Sequence, residues 1–394
     1  MIVWQYIFFT GAFLFFFNYI GYAVIVYFFN KIGAGYKAVN TGNFYPSVSF
    51  IVAAYNEEDI IEEKIINTLK LTYPESKIEF IFITDGSADN TALAIQKYSF
   101  IKLLHQPERK GKSAALNRAV ASAQNDILIM SDANTFLNTD AIKYIASHYE
   151  DSKVGGVAGE KRVVQPEGDE GNVGNREGLY WKYESFLKKI DSDFYSVVGA
   201  AGELFSVRRA LYEPVDSAVI LDDFIISLKT AQKGYRIMYE PRAYATEFAS
   251  VSIGDERKRK IRIAAGGFQA IKMLASLFKF WKHSRLTFLY VCHRVMRWCT
   301  SPLCLILVFI SNLAIIVKGG GYFYIICFLM QVAFYVTAFV SPYIPSNSKL
   351  KPLKAAGYFV FMNVSVIQGF FRFVSKKQAS TWEKVQRAPM KRDA

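Results

Sequence analysis

The sequence predicts an α/β domain with a mostly parallel sheet, flanked at both ends of the chain by transmembrane α-helices. Apolar strands alternate with helical patterns in the first half of the central region, and apolar segments lie before and after it. Of the 394 residues, 52% are hydrophobic, which is too many for an ordinary soluble enzyme. The 21% share of charged residues is too high for a bundle of membrane helices alone. Both kinds of structure are therefore expected in one chain.

The N-terminal segment is predicted to be an uncleaved membrane anchor. Residues 2–29 contain no charged side chain, and a helix of this length crosses a bilayer core of roughly 30 Å. No small-residue cleavage site follows a short apolar region, so a signal peptide is not indicated. Lys31 and Lys37 come next, and basic residues accumulate on the cytoplasmic side of membrane helices. We expect a transmembrane helix at residues 1–30, an integral protein of the plasma or inner membrane, and a central domain on the cytoplasmic side.

The central domain, placed at residues 45–250, begins with alternating strands and helices. Strands are predicted at residues 47–54, 77–84, 101–105 and 126–130. Between them lie apolar residues at helical spacing from Ile60 to Leu69, a helix from about Asn90, and a helix over residues 112–123. This alternation predicts a parallel sheet covered by helices on both faces.

Polar sequences follow three of these strands: "YNEE" after the first, "DGSADNT" after the second and "SDAN" after the fourth. A single acidic loop of this kind is usually a solvated turn or a helix cap. The carboxyl ends of parallel strands, however, meet at one edge of the sheet, where ligands bind. Three such loops at one edge predict a ligand site.

The residues Asp132 and Asn134 of "SDAN" stand two positions apart, so their side chains can point the same way. Carboxylate and carboxamide oxygens suit Mg²⁺ or Mn²⁺, which also takes water and phosphate oxygens as ligands. In "ERKGKSAALN", Lys112 and Arg109 could neutralise a diphosphate. The chain has no GxxxxGK[ST] motif and no GxGxxG motif after a strand, which argues against a P-loop ATPase and a dehydrogenase.

The C-terminal part of the chain is predicted to return to the membrane. Residues 301–317 and 322–345 resemble a helical hairpin joined by "KGGG", and residues 355–374 are a weaker span because they carry polar side chains. We therefore expect an interfacial amphipathic segment at 251–300, a transmembrane region of two to three helices at 301–375, and a basic tail at 376–394. Three spans here would place the tail outside, against the charge bias, so the sequence leaves the number of spans open.

Charge and composition fit a membrane surface better than nucleic acid. The formal net charge is +13, and basic runs such as "RKRKIR" (257–262) and "KLKPLK" (349–354) lie at the edges of the apolar segments. We interpret them as contacts with anionic headgroups and expect no nucleic-acid partner. The four cysteines and four histidines lack metal-ligand spacing and are assigned no chemistry. Four tryptophans are interpreted as membrane-interface aromatics: Trp4, Trp281, Trp298 and Trp382.

Several motifs, in order, resemble those of the family-2 inverting glycosyltransferases. They are "AAYNEE", "DGSADNT", "KGKSAALN", "SDAN", "GAAGELFSVRRALYEPV", "LDDFIISLKTAQKGYRIMYEP", "RKRKIRIAAGGFQ" and "STWEKVQR". They cover about residues 45–390, and the similarity is closest to membrane-embedded synthases of cellulose, chitin, hyaluronan and poly-N-acetylglucosamine. The resemblance implies a Rossmann-like GT-A fold. It also implies transfer of a sugar from a UDP-sugar, of the GlcNAc or Glc type, to a growing β-linked glycan for cell-surface or exopolysaccharide synthesis.

The resemblance also implies roles for individual residues. Asp223 would be the catalytic base, with Asp222 at the acidic position before it, and Asp132 with Asn134 would form a variant of the Asp-x-Asp metal motif. Tyr55 would stack on the uracil and Asp85 would hydrogen-bond to its edge. The remaining nucleotide contacts would come from Ala54, Glu57, Lys112 and Arg262. The acceptor would be bound by Gly202, Glu203 and Trp181.

Two departures from the family pattern leave alternatives open. The Gln-x-x-Arg-Trp motif reads Arg259 to Ile263 here, so the arginine (Arg262) is kept while the glutamine and the tryptophan are lost. That tryptophan forms a platform under the acceptor sugar in the processive synthases, and Trp181 or Phe268 could supply another aromatic. Asn134 in place of aspartate should weaken metal binding without abolishing it.

Purely structural interpretations of single motifs also stay open. The Asp222–Asp223 pair could simply cap a helix, and "RKRKIR" could be only an interfacial anchor. At the level of function, the alternatives are transfer of one sugar to a lipid carrier or glycolipid, and a catalytically inactive nucleotide-sugar-binding subunit. The expected partners are the UDP-sugar, a glycan or lipid-linked acceptor, and the lipid bilayer, with an auxiliary membrane subunit left open.

Overall fold

The computed structural model describes residues 1–36, 43–164, 172–248, 253–344, 350 and 353–378, with the backbone alone at 172–179 and 253. Its centre is one eight-stranded sheet with the order β3-β2-β1-β4-β7-β6-β8-β5. The strands are β1 (Val48–Ala54), β2 (Ile78–Asp85), β3 (Ile101–Gln106), β4 (Ile127–Asp132), β5 (Phe136–Leu137), β6 (Val154–Val164), β7 (Phe205–Arg208) and β8 (Arg236–Phe248).

The first four strands form a parallel half-sheet, as the alternating pattern predicted. Val48 of β1 lies opposite Ile78 of β2 on one side and Ile127 of β4 on the other. Every residue of β1 is buried, as expected for a central strand covered on both faces. The intervening helices are α3 (Ile61–Leu69), α4 (Thr91–Gln96) and α5 (Lys112–Ser122). The predicted α/β class is confirmed.

The second half of the sheet is mixed. Strand β7 runs antiparallel to both β4 and β6, and β6 runs parallel to β8. Two apolar clusters lie on the two faces of the sheet: Ile51 and Ile83 belong to one, and Phe50 and Phe82 to the other. Alternate residues of a strand therefore supply both cores, which is the period-two geometry of a doubly covered sheet.

Three further helices complete the central region: α6 (Ala141–Ser147), α7 (Asn172–Phe194) and α8 (Asp222–Gln232). Helix α7 packs on the sheet and also joins it to the N-terminal segment. The phenol of Tyr22 donates a 2.5 Å hydrogen bond to Oδ1 of Asp191, whose Oδ2 lies 2.5 Å from Nδ1 of His293. Because all three side chains are buried, this contact fixes the apolar helices against the domain.

The remaining helices lie at the two ends of the chain. They are α1 (Ile2–Phe16), α2 (Tyr22–Lys31), α9 (Ile253–Met273), α10 (Phe280–Tyr290), α11 (Met296–Cys299), α12 (Ser301–Val317), α13 (Tyr322–Val340) and α14 (Lys354–Val374). A π-helical turn at Phe17–Gly21 joins α1 to α2 in one continuous helix. The hairpin predicted around "KGGG" corresponds to α12 and α13.

In the described part of the chain, three helical segments are long and apolar enough to cross a membrane: Ile2–Lys31, Tyr322–Tyr343 and Lys354–Val374. Phe280–Cys299 and Ser301–Val317 would together make a fourth, bent by 53°. Membrane insertion and the predicted domain boundaries stay predictions. Most of the predicted basic tail, including "STWEKVQR" and Trp382, and part of "KLKPLK" lie outside the described residues.

Candidate active site

A cavity of about 940 Å³ opens at the carboxyl edge of the parallel half-sheet, beside the ends of β1 and β4. Eleven of the thirteen site residues named from the sequence line it: Tyr55, Glu57, Lys112, Asp132, Asn134, Trp181, Gly202, Glu203, Asp222, Asp223 and Arg262. The other two, Ala54 and Asp85, line a narrow pocket next to it that shares Tyr55 and Lys112. The loops after the first and fourth strands thus meet as the sheet geometry predicted.

Lys112 and Asp132 form the ion pair at the base of this cavity. Lys112 is the first residue of α5 and Asp132 the last of β4, and Nζ lies 2.6 Å from Oδ1. Burial lowers the pKa of Lys112, but the negative charges of Asp132, Asp222 and Asp223 raise that pKa by a larger amount. The net shift is therefore upward, and the ammonium stays charged. Burial raises the pKa of Asp132 against the opposing effect of Lys112. The site therefore keeps a fixed positive charge beside a carboxylate.

The loop that carries Asp132 and Asn134 is supported from behind by a buried lysine. Nζ of Lys64, on α3, donates to Oγ of Ser131 at 3.0 Å and to the carbonyl of Thr135 at 2.6 Å. Burial lowers the pKa of Lys64 to about 7, and Asp132 opposes that shift. Lys64 was not identified from the sequence. A lysine among the apolar positions of an amphipathic helix was the only local sign of its burial.

Asp222 and Asp223 are the first two residues of α8. The backbone N–H of Phe224 donates to Oδ1 of Asp223 at 2.8 Å. Burial, followed by the charge of Asp222, raises the pKa of Asp223 to about 7. A carboxylate with a pKa near the working pH suits general-base chemistry. The helix-cap alternative explains the position of the pair, but not the opening of both side chains onto the cavity.

Gly202 lets Lys112 and Asp223 approach each other. A Cβ atom added at Gly202 would lie 2.9 Å from Nζ of Lys112 and 3.4 Å from Oδ2 of Asp223. Any larger side chain here would push the ammonium or the carboxylate aside. The metal-motif aspartate, the lysine and the proposed base therefore occupy one compact region of the cavity.

Glu203 was predicted to contact the acceptor, but in the structure its carboxylate is engaged by a neighbouring lysine. Its carboxylate forms an ion pair with Lys161, which is also paired with Glu247. Burial opposes ionisation of Glu203, but Lys161 lowers its pKa so that the net shift is downward. Glu203 lines the cavity as a charged group already held by a lysine, and an acceptor role for it stays a prediction.

Tyr55 and Asp85, which were predicted to contact the nucleotide base, both have partners within the protein. The guanidinium of Arg109 lies 3.8 Å above the ring of Tyr55. Oδ2 of Asp85 accepts hydrogen bonds from the backbone N–H groups of Lys110 at 3.0 Å and Gly111 at 2.6 Å. Asp85 therefore positions the loop that leads into α5. Contact of Asp85 with the edge of a base stays a prediction.

Two tryptophans line the cavity, Trp181 from α7 and Trp298 from α11. Trp298, interpreted from the sequence as a membrane-interface aromatic, lies instead against Phe224, with ring centroids 5.6 Å apart. Ile263, at the position of the family's platform tryptophan, also lines the cavity. Phe268, the other suggested aromatic, packs on Phe370 and is not among the residues that line the cavity. The sequence alone could not separate these aromatics, because their positions depend on helix packing.

The donor atoms present fit a divalent cation of the predicted kind. In the residues that the structure describes, no three His, Cys, Asp or Glu side chains cluster as a closed metal site. Asp132 and Asn134 line the open cavity instead. Mg²⁺ and Mn²⁺ are commonly held by one or two protein oxygens, with substrate phosphates and water completing the shell. A carboxylate and a carboxamide that face a large cavity meet that requirement.

Comparisons with known proteins agree with this geometry. The family described as "Glycosyl transferase family 2" matches residues 49–215. The chain is 31% identical over 234 residues to a poly-beta-1,6-N-acetyl-D-glucosamine synthase of Staphylococcus aureus strain MSSA476, covering 57% of this chain and 55% of that protein. A synthase of the same name from Staphylococcus epidermidis is 29% identical over 231 residues, with the same coverage. The chain thus spans about half the length of the curated relatives it matches.

A solved structure extends the similarity in fold. The mannosyltransferase PcManGT of Pyrobaculum calidifontis, solved with GDP-Man and Mn²⁺, superimposes with a TM-score of 0.70 over 93% of this chain and 99% of its own. The two sequences are 20% identical, so this match concerns the fold alone. Residues 49–215 therefore match the model of glycosyl transferase family 2, and the chain is built on a GT-A-like fold.

Proposed function

We propose that this protein is a membrane-bound inverting glycosyltransferase. It transfers a sugar of the GlcNAc or Glc type from a UDP-sugar to a growing β-linked glycan for cell-surface or exopolysaccharide synthesis. One observation carries the proposal: the Lys112–Asp132 pair and the Asp223 carboxylate meet in one cavity at the carboxyl edge of the sheet. A group that binds a diphosphate and a group that accepts a proton are thus available to the same substrate pair.

The chemistry follows from these positions. Asp223 accepts the proton of the acceptor hydroxyl, and the hydroxyl oxygen forms a bond to the anomeric carbon of the donor sugar. The bond from that carbon to the diphosphate oxygen breaks in the same displacement, so the configuration inverts and no covalent sugar–enzyme intermediate is required. Lys112 faces the negative charge that develops on the departing diphosphate.

Asp132 and Asn134 would hold Mg²⁺ or Mn²⁺, whose charge would stabilise the leaving diphosphate. The bound Mn²⁺ of PcManGT supports a divalent ion in this fold. The relatives' name supports N-acetylglucosamine as the sugar and a β-linked polymer as the product.

The membrane part of the proposal rests on the apolar helices. Ile2–Lys31, Tyr322–Tyr343 and Lys354–Val374 are each long enough to span a bilayer. Many large apolar side chains on them are exposed, among them Phe13, Tyr322 and Phe371. Such exposure is costly in water and expected in lipid. The catalytic domain would then lie on the cytoplasmic side, next to the nucleotide-sugar.

One observation favours a second candidate, the transfer of a single sugar to a lipid-linked acceptor. Trp298, and Met362 from the candidate span α14, line the catalytic cavity. An acceptor held in the bilayer could therefore reach Asp223 from the side of the apolar helices. The length of the product separates the two candidates.

A donor screen with the purified full chain tests the proposal. UDP-GlcNAc, UDP-Glc and GDP-Man would be supplied with Mn²⁺, and released nucleotide and product mass would be measured. The proposal expects UDP release and a ladder of β-linked products, whereas single-sugar lipid products would favour the second candidate. Absence of turnover with every donor, in the wild type as in Asp223→Asn, would support an inactive nucleotide-sugar-binding subunit.

A further inference from the structure

Lys188 is a buried lysine in the wall of the catalytic cavity, and its Nζ forms no hydrogen bond within the described part of the chain. The residue is 3% exposed. Two aromatic rings lie near its ammonium: the ring of Tyr239 at 5.7 Å and that of Trp181 at 5.9 Å. A buried ammonium that lacks an acceptor costs free energy, so its presence in a cavity wall calls for a ligand.

Trp181 presents a second donor of the same kind. Its indole Nε1 is buried and has no hydrogen-bond partner in the described part of the chain. Trp181 and Lys188 are seven residues apart on α7, so they project from the same face of the helix, two turns apart. Both line the cavity that contains Asp223. Two buried donors without a hydrogen-bond partner in the described residues thus lie in the wall of the cavity that contains Asp223.

The surroundings indicate the chemistry of the ligand. Carboxylates outnumber cations among the side chains that line the cavity. Glu160, Glu184 and Glu203 all act electrostatically on Lys188. An anionic group placed next to Lys188 would be repelled by these carboxylates, whereas the donor diphosphate is proposed to bind at Lys112. A neutral saccharide offers hydroxyl and carbonyl oxygens to the two donors and an apolar ring surface to the aromatic faces.

We propose that Nζ of Lys188 and the indole N–H of Trp181 form an acceptor subsite that binds the oxygens of a neutral saccharide. This inference rests on the proposed glycosyl transfer and specifies its acceptor: a sugar chain, and not the phosphate of a lipid carrier. Neither residue moves a proton or contacts the leaving group. They orient the acceptor so that its hydroxyl reaches Asp223.

The test measures initial rates of the full-length protein in nanodiscs, with UDP-GlcNAc saturating and β-1,6-linked GlcNAc oligomers varied. Lys188→Met should raise the acceptor KM about tenfold or more, because a hydrogen bond from a charged donor is lost. Trp181→Phe should raise it by a smaller factor. The kcat and the donor KM should stay within about twofold of wild type.

Lys189→Met is the matched control. Lys189 is the next residue of α7, but it is exposed and pairs with Asp193 at 3.2 Å, so its substitution should leave the acceptor KM unchanged. A purely structural Lys188 would lower the melting temperature when replaced. The proposal expects the Lys188→Met protein to melt no lower than wild type, because the substitution removes an unpaired buried charge.

Three results would overturn the inference. They are an unchanged acceptor KM in Lys188→Met, a fall in melting temperature together with a loss of kcat, and an equal Lys188 effect on transfer to a polyprenyl phosphate. Release of UDP in the presence of the acceptor oligomers separates this inference from the proposed function. A wild type that releases no nucleotide contradicts the proposed function. A wild type that releases it, with Lys188→Met indistinguishable in acceptor KM, contradicts the subsite alone.

Discussion

Nζ of Lys112 lies 2.6 Å from Oδ1 of Asp132, joining the start of a helix to the end of a strand at the point where the proposed diphosphate would bind. The pair gives the site a fixed positive charge and a carboxylate in the same small volume. A divalent ion bound to Asp132 would share that carboxylate with Lys112. The strength of metal binding and the charge of the site are therefore linked.

Removal of the divalent ion should stop transfer. With EDTA we expect loss of turnover, and Mn²⁺ should restore it. Asp132→Asn should lower kcat by about 10² to 10³ and raise the Mn²⁺ concentration for half-activation, because a charged ligand is replaced by a neutral one. The measurement is UDP release against Mn²⁺ concentration.

Asp126→Asn serves as the control for that substitution, because Asp126 is exposed just before the other end of β4. It should behave as wild type. Full activity of the wild type in EDTA would contradict the role assigned to the metal.

Asp223→Asn should abolish transfer and leave donor binding intact. A general base contributes about 10² to 10⁴ in rate, so kcat should fall by at least that lower figure. The affinity for UDP, measured by calorimetry, should stay close to the wild-type value because Asp223 acts on the acceptor. Asp222→Asn is the adjacent control, and it should lower kcat by a smaller factor. If Asp223→Asn and Asp222→Asn lost equal activity, the assignment of Asp223 as the catalytic base would be contradicted.

The rate of transfer should rise with pH through about 7. Burial and the charge of Asp222 raise the pKa of Asp223 to about 7, and a base acts only when deprotonated, so the rate falls as pH drops below that value. Asp222→Asn removes a neighbouring negative charge. It should lower the pKa of Asp223 and move the acidic limb of the profile to lower pH. If the acidic limb of the pH–rate profile did not move in Asp222→Asn, titration of Asp223 would be excluded as the origin of that limb.

Gly267→Ala should impair acceptor binding through Trp298. A Cβ atom at Gly267 would lie 2.9 Å from the indole ring of Trp298, so the ring, which lines the cavity, must shift. We expect a rise in acceptor KM of about three- to tenfold and a loss of about 1–3 kcal/mol in stability. The check is a double-mutant cycle with Trp298→Leu, in which the clash should disappear. Additive effects of the two substitutions would show that the contact does not matter.

Lys64→Met should loosen the loop that carries Asp132 and Asn134. The variant loses the hydrogen bonds to Ser131 and Thr135, which should cost about 1–3 kcal/mol in the free energy of unfolding. The Mn²⁺ requirement should rise as well. Lys70→Met, at an exposed position after the same helix, is the control for denaturant unfolding and Mn²⁺ activation. Unchanged stability in Lys64→Met would show that the buried lysine is dispensable.

Much of the parallel half-sheet could be predicted because its signals are local. The residues of β1 are buried and apolar without interruption, and the predicted strand at 126–130 is observed as Ile127–Asp132. The antiparallel half was missed. Strand β7 has only four residues, and its partners β4 and β6 lie dozens of residues away along the chain. A strand that short has no reliable pattern of its own.

The sequence by itself determined the apolar ends, the alternation of strands and helices, and the polar loop at Asp132, because each depends on neighbours within one turn or one strand. Asp223 was identified through the family resemblance. Only the tertiary structure decided that Trp298 faces the cavity, that Glu203 is held by Lys161, and that Nζ of Lys188 has no hydrogen-bond partner among the described residues. Those properties depend on which side chains from distant segments arrive at the same place. Packing of whole helices and strands sets that arrangement, and no local periodicity encodes it.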